Sequence, residues 1–514
     1  MISVKRTIGG IGNNLFQLAF AIAQGKRHGV EVGFSGWKFA KYFQGDFSQA
    51  ALPHMHPVAE QAFHHTPEFY GKLDYSQHID FHGYFQSFKY WEGCEDLIRR
   101  TFAFTPEFAT AVRNKDTRPF SKPVIALHLR RGDYVGNSNY VNLTPTYYLS
   151  ALEKQFPDWR NDNLLIFSDN QDYARLHFGC FANAFFAGGS EVEDLCLMSQ
   201  CQRFITANSS YSWWGAWLSG SKEVVRPSTH FAGGLLARCD IKDFYPESWT
   251  VHQSERIDLT ECTFLIPVSH DHPDRQKNLE LILSMLIRDF DTNVIVMEQG
   301  GSKFEWTGEF FDYQKFPGPW FHRTAMLNEM ARMARTPIIV NFDADVLFPP
   351  AQIMEAVRLI RDGADVSYPY SGRFARMNRK QWYGKINEAK DIGTVGGANI
   401  PILRRGDAQS AGGAVFFNRE AFWRGGGENE NLVSFSPDDA ERLERFTKLG
   451  FNVARVPGNC WHMEHHCGLN SGTAHPYTAH NRAEWQKVAG MSADELREYV
   501  ATWEWAFANV PETA

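Results

Sequence analysis

Short apolar runs that end in glycine or in charge, each followed by a helical pattern, recur along this chain and then begin again. Ser3–Ile8 reads as a strand, followed by the Gly9-Gly10-Ile11-Gly12-Asn13 turn and an apolar helix from about Leu15 to Gly25. Val124–Leu129 and Leu164–Phe167 read as further strands, with helical patterns over Pro145–Gln155 and Glu193–Cys201. Such alternation implies an α/β fold with a parallel sheet covered on both faces. The stretch Trp249–Glu261 is polar, has no core pattern and marks a boundary, giving expected domains at 1–256 and 257–514. Beyond it a second series starts. Thr263–Val268, Asn293–Met297 and Pro337–Phe342 read as strands, Asp274–Ile287 and His322–Ala334 as helices, and Ser492–Glu495 as a capping box. The length of 514 residues fits two domains, since single cores stop growing at roughly 250–300 residues. No repeat links the halves, so they read as two different modules.

Composition excludes some functions. A net charge of −7 gives no basic footprint for nucleic acid. The 15 Trp and 41 Phe suit large cores and also sugar-binding faces. None of the 8 Cys forms a CxxC pair, which reads as free thiols in a reducing compartment. The opening MISVKRTIGG does not read as a signal peptide, because the apolar run after it is broken by Asn13, Asn14 and Gln17, and no run approaches the ~18 apolar residues of a membrane span. The expected location is the cytoplasm, with peripheral attachment at the inner membrane face left open.

Three constellations carry the chemistry of the first half. Gly9–Gln17 places glycines at a strand-to-helix turn, where backbone amides can approach an anion or simply form a turn. His128-Leu129-Arg130-Arg131-Gly132-Asp133-Tyr134 follows a strand directly. Its arginines suit a diphosphate, and equally an ion pair with Asp133. Asn208-Ser209-Ser210-Tyr211-Ser212-Trp213-Trp214 crowds polar donors against two indoles after the strand Phe204–Ala207. That suits a nucleotide sugar at the end of a sheet, or a packed Trp pair.

In this order the motifs resemble the α-1,2-fucosyltransferases of glycosyltransferase family 11, over about residues 1–245, with Phe167-Ser168-Asp169 as a further match. Asn14 stands where that family more often has Gln. The resemblance implies a GT-B-like pair of Rossmann-type subdomains, GDP-fucose as donor, inversion and no metal. It also implies that Arg130 and Arg131 hold the diphosphate. Gly10, Gly12, Asn13, Asp169, Asn208, Ser209 and Ser210 would line the nucleotide pocket. His128 and Asp133 are both candidates for the base, and structural roles for either stay open.

In the second half, Asp343-Ala344-Asp345 closes an apolar strand. Two carboxylates at i and i+2 there suit a divalent cation bridging phosphates, although Asp is also common in turns. Around it lie Phe321–Asn328, Gly412-Gly413, Gly425–Glu430, Asp438-Asp439 with Arg445 beyond, and Cys460–Cys467. This order resembles, more loosely, the GT-A transferases related to β-1,4-galactosyltransferases and bacterial chondroitin-type polymerases, over about 262–470. The usual Gly-Trp-Gly is replaced here by Val433-Ser434-Phe435-Ser436-Pro437. The resemblance implies Mn2+ or Mg2+ held by Asp345 with Asp343, and His462 or His465 as a late ligand. It places Arg275, Arg323, Asp343 and Gly413 at a UDP-sugar, Asp439 as general base and Asp438 at the acceptor. Ser410, two residues before the Gly pair, leaves room for an N-acetyl group, so UDP-Gal, UDP-GalNAc and UDP-GlcNAc are all allowed. The rival for Cys460–Cys467 is a structural zinc site.

The combined expectation is a bifunctional transferase acting on an oligosaccharide or lipid-linked glycan. The alternatives are one active half beside an inert glycan-binding or assembly module, and a lectin.

Overall fold

The computed structural model describes residues 1–269, 272–299, 312–395, 402–403, 410–434, 436–468, 470, 472 and 474–507. Phe435, in the segment that replaces Gly-Trp-Gly, lies outside them. The chain forms two compact units, residues 1–174 with 183–255, and 175–182 with 256–514.

The first unit holds two parallel sheets. One has four strands, in the order Val32–Gly33, Ile2–Ser3, Ile79–His82, His56–Ala59. The other has six, in the order Thr250–His252, Glu223–Pro227, Arg203–Ile205, Val124–Leu129, Asn163–Ser168, Ala184–Phe186. Every residue of Val124–Leu129 is buried, as expected for a strand with a neighbour on each edge and packing on both faces.

Two sequence expectations fail near the start, for one reason. The first strand spans only Ile2–Ser3, and the helix begins at Ile11 and runs to His28. Asn14 and Gln17 read as breaks in an apolar run, yet both are buried inside the helix. The Gln17 amide donates to the Ile8 carbonyl at 2.8 Å and its oxygen accepts from the Ile8 N–H at 3.0 Å, while Asn14 donates to the same carbonyl at 3.1 Å. Side chains, rather than a strand partner, satisfy the backbone leading into the turn.

The polar stretch read as a boundary is also structured. Thr250–His252 pairs with Glu223–Pro227, and Ile257–Ser269 is a long strand of the second unit. Ile257 and Leu259 are buried while Asp258 and Thr260 face out, so a period of two was present over four residues.

The second unit is built on a seven-stranded sheet. Its order is Asp312–Lys315, Phe290–Gln299, Ile257–Ser269, Ile338–Phe342, Ala414–Asn418, Val366–Tyr368, Val453–Arg455. Unlike the sheets of the first unit it is mixed, because Ala414–Asn418 runs antiparallel to both neighbours. A smaller sheet orders Val346–Leu347, Asn459–Met463, Arg373–Met377 and Ile402–Leu403. The capping box at Ser492 and Glu495 starts the helix Ala493–Val500. No helix among the described residues is long and apolar enough to cross a membrane.

Candidate functional sites

In the first unit the strands Val124–Leu129, Asn163–Ser168 and Arg203–Ile205 are parallel neighbours, so Arg130, Asp169 and Asn208 all follow the carboxyl edge of one sheet. In open α/β sheets that edge is where ligands bind. Asp169 organises the arginine loop. Its carboxylate takes Arg130 Nη1 at 2.8 Å and the Arg131 backbone N–H at 2.9 Å. Arg130 also pairs with Asp133, so the surface-pair reading of those two residues is realised alongside the clamp. The Arg131 guanidinium lies over the Tyr173 ring, 4.0 Å from its centroid.

Several residues assigned to the nucleotide have intramolecular tasks. Asn208 is buried and its amide donates to the carbonyls of His230 (2.8 Å) and Val141 (3.0 Å), while Tyr134 Oη donates to the Asn208 carbonyl at 3.0 Å. Asn208 therefore ties loops behind the sheet edge instead of presenting its amide to a ligand. Ser209 caps the helix Ser210–Ser219. Asn13 Oδ1 accepts from Ser210 Oγ at 2.6 Å and from the Gln86 amide at 2.7 Å. A Cβ on Gly12 would lie 2.7 Å from the Ser210–Tyr211 backbone, so this glycine permits contact between two helix starts rather than approach to a ligand. Gly10 has open space where its Cβ would be. Burial, helped by Arg130, pushes the His128 imidazole down to about 3, so it is neutral at physiological pH and a weak base.

Sequence reasoning missed Glu60. Its carboxylate accepts the backbone N–H of Tyr84 at 2.7 Å and of Phe85 at 2.9 Å, holding Phe85 at φ 52° immediately before Gln86. Burial pushes Glu60 up to about 7 against those two hydrogen bonds. No local pattern around Glu60 announces this partnership, which spans 24 residues.

The second unit contains a cavity of about 1100 Å³ whose walls include Arg275, Arg323, Asp343, Asp345, Ser410, Gly413, Asp438, Asp439, His462 and His465. Strand pairing builds one side of it. Val346 stands opposite His462, and the Met463 N–H donates to the Asp345 carbonyl at 2.7 Å, which brings Asp345 against the imidazoles. The Asp345 carboxylate lies 3.0 Å from His465 Nε2 and 3.6 Å from His462 Nε2. His465 Nδ1 donates to the His466 carbonyl at 2.8 Å, which turns Nε2 toward the carboxylate. Ligand atoms of Asp345, His462 and His465 all lie within 4.8 Å of one another, the one such group among the described residues. Burial alone would raise Asp345, but the two imidazoles overcome it and hold the acid well below its usual range. His465 is raised in return, because the Asp345 hydrogen bond and charge outweigh its burial. One carboxylate oxygen and two imidazole nitrogens suit a divalent transition metal, Mn2+ included.

Asp343 stands apart from this triad. Arg323 donates to it through Nε (3.1 Å) and Nη2 (2.7 Å), and the Gly413 N–H donates to it at 3.2 Å. Expected as a second metal ligand or at the UDP-sugar, it is paired here with an arginine. The cysteines form no zinc site among the described residues: Cys460 is buried, Cys467 is exposed, and His466 stacks on His272 with ring centroids 4.6 Å apart.

Arg323 continues from Asp343 to the acidic pair, bonding Asp438 and lying 3.4 Å from Asp439 Oδ1. The helix Asp438–Lys448 presents both carboxylates from its first turn. Their environments differ. Burial raises Asp438 to about 7, overcoming Arg323, whereas Arg323 and Arg442 together overcome the burial of Asp439 and hold it ionised. A chain of buried partners fixes Asp439. Asn341 donates to Glu428 at 2.6 Å, Arg442 binds Glu428 at 3.0 Å, and the same guanidinium binds Asp439 Oδ1 at 2.7 Å. Glu428 and Arg442 were not singled out from sequence, although the run Gly425–Glu430 that carries Glu428 was. Arg445 packs away from the cavity, paired with buried Glu441 at 2.7 Å. A Cβ on Gly412 would lie 2.5 Å from Asp439 Oδ2, so a side chain there requires the carboxylate to move.

Comparison with known proteins places a family match in the N-terminal half. Residues 53–253 match the family Glycosyl transferase family 11. The chain is 39% identical over 118 residues to the O-antigen biosynthesis glycosyltransferase WbnK of Escherichia coli, covering 21% of this chain and 39% of that protein. It is 26% identical over 259 residues to an Escherichia coli alpha-1,2-colitosyltransferase, covering 42% of this chain and 87% of that protein. The chain thus spans less than half the length of the first relative. Among solved structures, fucosyltransferase NodZ from Bradyrhizobium is 13% identical with a TM-score of 0.30, covering 42% of this chain and 91% of that one. The catalytic domain of Drosophila beta1,4galactosyltransferase 7 is 14% identical with a TM-score of 0.24, covering 38% and 64%. Both scores are too low to establish a common fold. The matched segment and both relatives are of the transferase class, and the N-terminal half carries a glycosyl transferase family 11 domain.

Proposed function

We propose that this chain is a bifunctional glycosyltransferase of surface-glycan synthesis, of the O-antigen kind. Its domains are 1–256, taking GDP-fucose, and 257–514, taking UDP-Gal, UDP-GalNAc or UDP-GlcNAc. The observation that carries the reading is the second unit's cavity, where a carboxylate–imidazole triad, an arginine and an ionised aspartate held by a buried ion-pair chain share one wall system. In the first half the family match and the clamped arginine pair support fucosyl transfer. The similarity to a colitosyltransferase favours a second reading, in which that half moves colitose.

In the second half, Asp345, His462 and His465 would hold Mn2+ or Mg2+. When bound, such a metal supplies positive charge that offsets the charge of a departing diphosphate. Asp439, held ionised, takes the proton of the acceptor hydroxyl as that oxygen attacks the anomeric carbon from the face opposite the leaving group, inverting it. Arg323 keeps Asp343, Asp438 and Asp439 in register, and its charge limits repulsion between the two neighbouring acids. In the first half no metal is invoked. Arg131, with Arg130 braced by Asp169, offers the guanidinium charge that stabilises departing GDP.

A donor panel tests this. The protein is incubated with GDP-fucose, UDP-Gal, UDP-GalNAc and UDP-GlcNAc, and release of GDP and UDP is measured. Release from GDP-fucose and from at least one UDP-sugar is expected. Release from only one nucleotide class would reduce the proposal to a single active half.

A further inference from the structure

The cavity of the second unit extends past the groups that a nucleotide sugar needs. Pockets that enclose a single small ligand measure roughly 300–1,000 Å³, and this one, at about 1100 Å³, also reaches Leu443, Thr447 and Trp485. Asp439, Leu443 and Thr447 recur at intervals of four on the helix Asp438–Lys448, so one helical stripe leads from the base along the cavity wall. At 1.5 Å of rise per residue the stripe is about 12 Å long, more than one pyranose ring.

Trp485 lines this extension, and the helix that carries it is held from two directions. It lies on the helix Thr478–Gly490. One turn before it, buried Asn481 grips the backbone of Val433 at both polar atoms, accepting from the N–H at 3.1 Å and donating to the carbonyl at 2.7 Å. At the other end Lys448 Nζ donates to the carbonyls of Ala489 (2.5 Å), Met491 (3.3 Å) and Val488 (3.4 Å), the usual place for a cation at a helix C-terminus. The loop gripped by Asn481 leads directly into Asp438. Its Ser434 sits at φ 60°, a strained value for a residue with a side chain, and its hydroxyl donates to Asn470 Oδ1 at 2.9 Å. An indole fixed at a cavity wall, beside a half-exposed leucine and a threonine, is a face on which the apolar side of a sugar ring packs.

We infer that the groove from Asp439 to Trp485 is the acceptor site of the second half, that it takes an oligosaccharide of at least two sugar residues, and that Trp485 binds the distal ring. This rests on the proposed transferase activity of that half and specifies its acceptor. Immobilised mono-, di- and trisaccharides are incubated with the protein, Mn2+ and radiolabelled UDP-Gal, UDP-GalNAc or UDP-GlcNAc. Label is expected on glycans of two or more residues, at least tenfold above any monosaccharide. Equal labelling of monosaccharides, or no labelled glycan while the protein still releases UDP from a donor, overturns the inference. No UDP release at all overturns the underlying transferase reading instead. Trp485→Ala should lower oligosaccharide labelling by tenfold or more and Trp485→Phe by less, with UDP affinity by calorimetry as the check that both variants fold. Full labelling by Trp485→Ala contradicts a binding role for the indole.

Discussion

On the proposed function the two halves would meet the same problem, a diphosphate that must leave with its charge, using different chemistry. In the first unit guanidinium would be the charge resource, and acidic groups hold it in place, with Asp169 clamping the loop and Asp133 pairing with Arg130. In the second the arrangement is reversed. Carboxylates and imidazoles make a metal-type cluster, and arginines serve the acids, with Arg323 joining Asp343 to the acidic pair and Arg442 joining Asp439 to Glu428. The difference teaches that a charged residue at a strand end can be the tool or the support. Only its partners decide which.

The largest effects should come from removing each half's tool. Asp439→Asn should lower UDP-sugar transfer by about 10²–10⁴-fold, the usual range for a positioned base, and leave GDP-fucose hydrolysis within about twofold. Arg131→Ala should do the converse, lowering GDP-fucose turnover by about 10²–10³-fold, as loss of a charge-stabilising donor does elsewhere. Steady-state rates on both donors for both variants check the pair. A variant that damages both activities equally would collapse the division of labour.

A supporting residue should give a smaller and more selective effect. A Cβ at Gly412 meets the tip of the Asp439 side chain rather than backbone, so Gly412→Ala should displace the carboxylate without disrupting the core. The expected result is a loss of about 10²-fold in kcat on UDP-sugar, in line with misplacement of a reacting group by an ångström, and a melting temperature unchanged within about 2 °C. A large drop in melting temperature would instead make Gly412 a folding residue.

The smallest effect is a pH dependence confined to the first half. Glu60 has an ordinary value of 4.5 and is pushed up to about 7 by burial. Below the lower value both folded and unfolded chains carry its proton. As pH rises toward 7 the unfolded chain releases the proton and the folded chain keeps it, so folding loses stability across that window and the loss stays above it. At 1.36 kcal/mol per unit the contribution is at most about 3 kcal/mol. Thermal melts between pH 4.5 and 7.5 should show a transition that falls with pH in the wild type, with a shallower fall in Glu60→Gln. Identical slopes would remove Glu60 from the account.

How much of this was legible in sequence depended on whether the controlling contact was local. The central strand Val124–Leu129 and the helix Pro145–Gln155 follow from apolar runs and from Pro at a helix start, and both occur with the residues expected. The first helix, expected over Leu15–Gly25, runs over Ile11–His28, and the polar Asn14 and Gln17 inside it hold the turn before it. Ile257 and Leu259 were hidden inside a polar stretch for a similar reason, since alternation over four residues is a weak signal. At the sites, the acidic pair Asp343 and Asp345 stood out as chemistry and His462 or His465 entered through the resemblance, whereas the structure groups Asp345 with both imidazoles. The intramolecular partners of Asn208 and Gly12, the His230 carbonyl and the Ser210–Tyr211 backbone, were not legible because they are distant in the chain. The buried link from Glu428 through Arg442 to Asp439 crosses elements in the same way.

The central claim is that one half depends on a metal and the other on arginine. It is tested most directly by measuring GDP release from GDP-fucose and UDP release from UDP-sugar in one preparation, before and after EDTA and after added Mn2+. The account predicts that EDTA abolishes UDP release, that Mn2+ restores it, and that GDP release stays within about twofold throughout. Loss of both activities with EDTA, or retention of both, would contradict it.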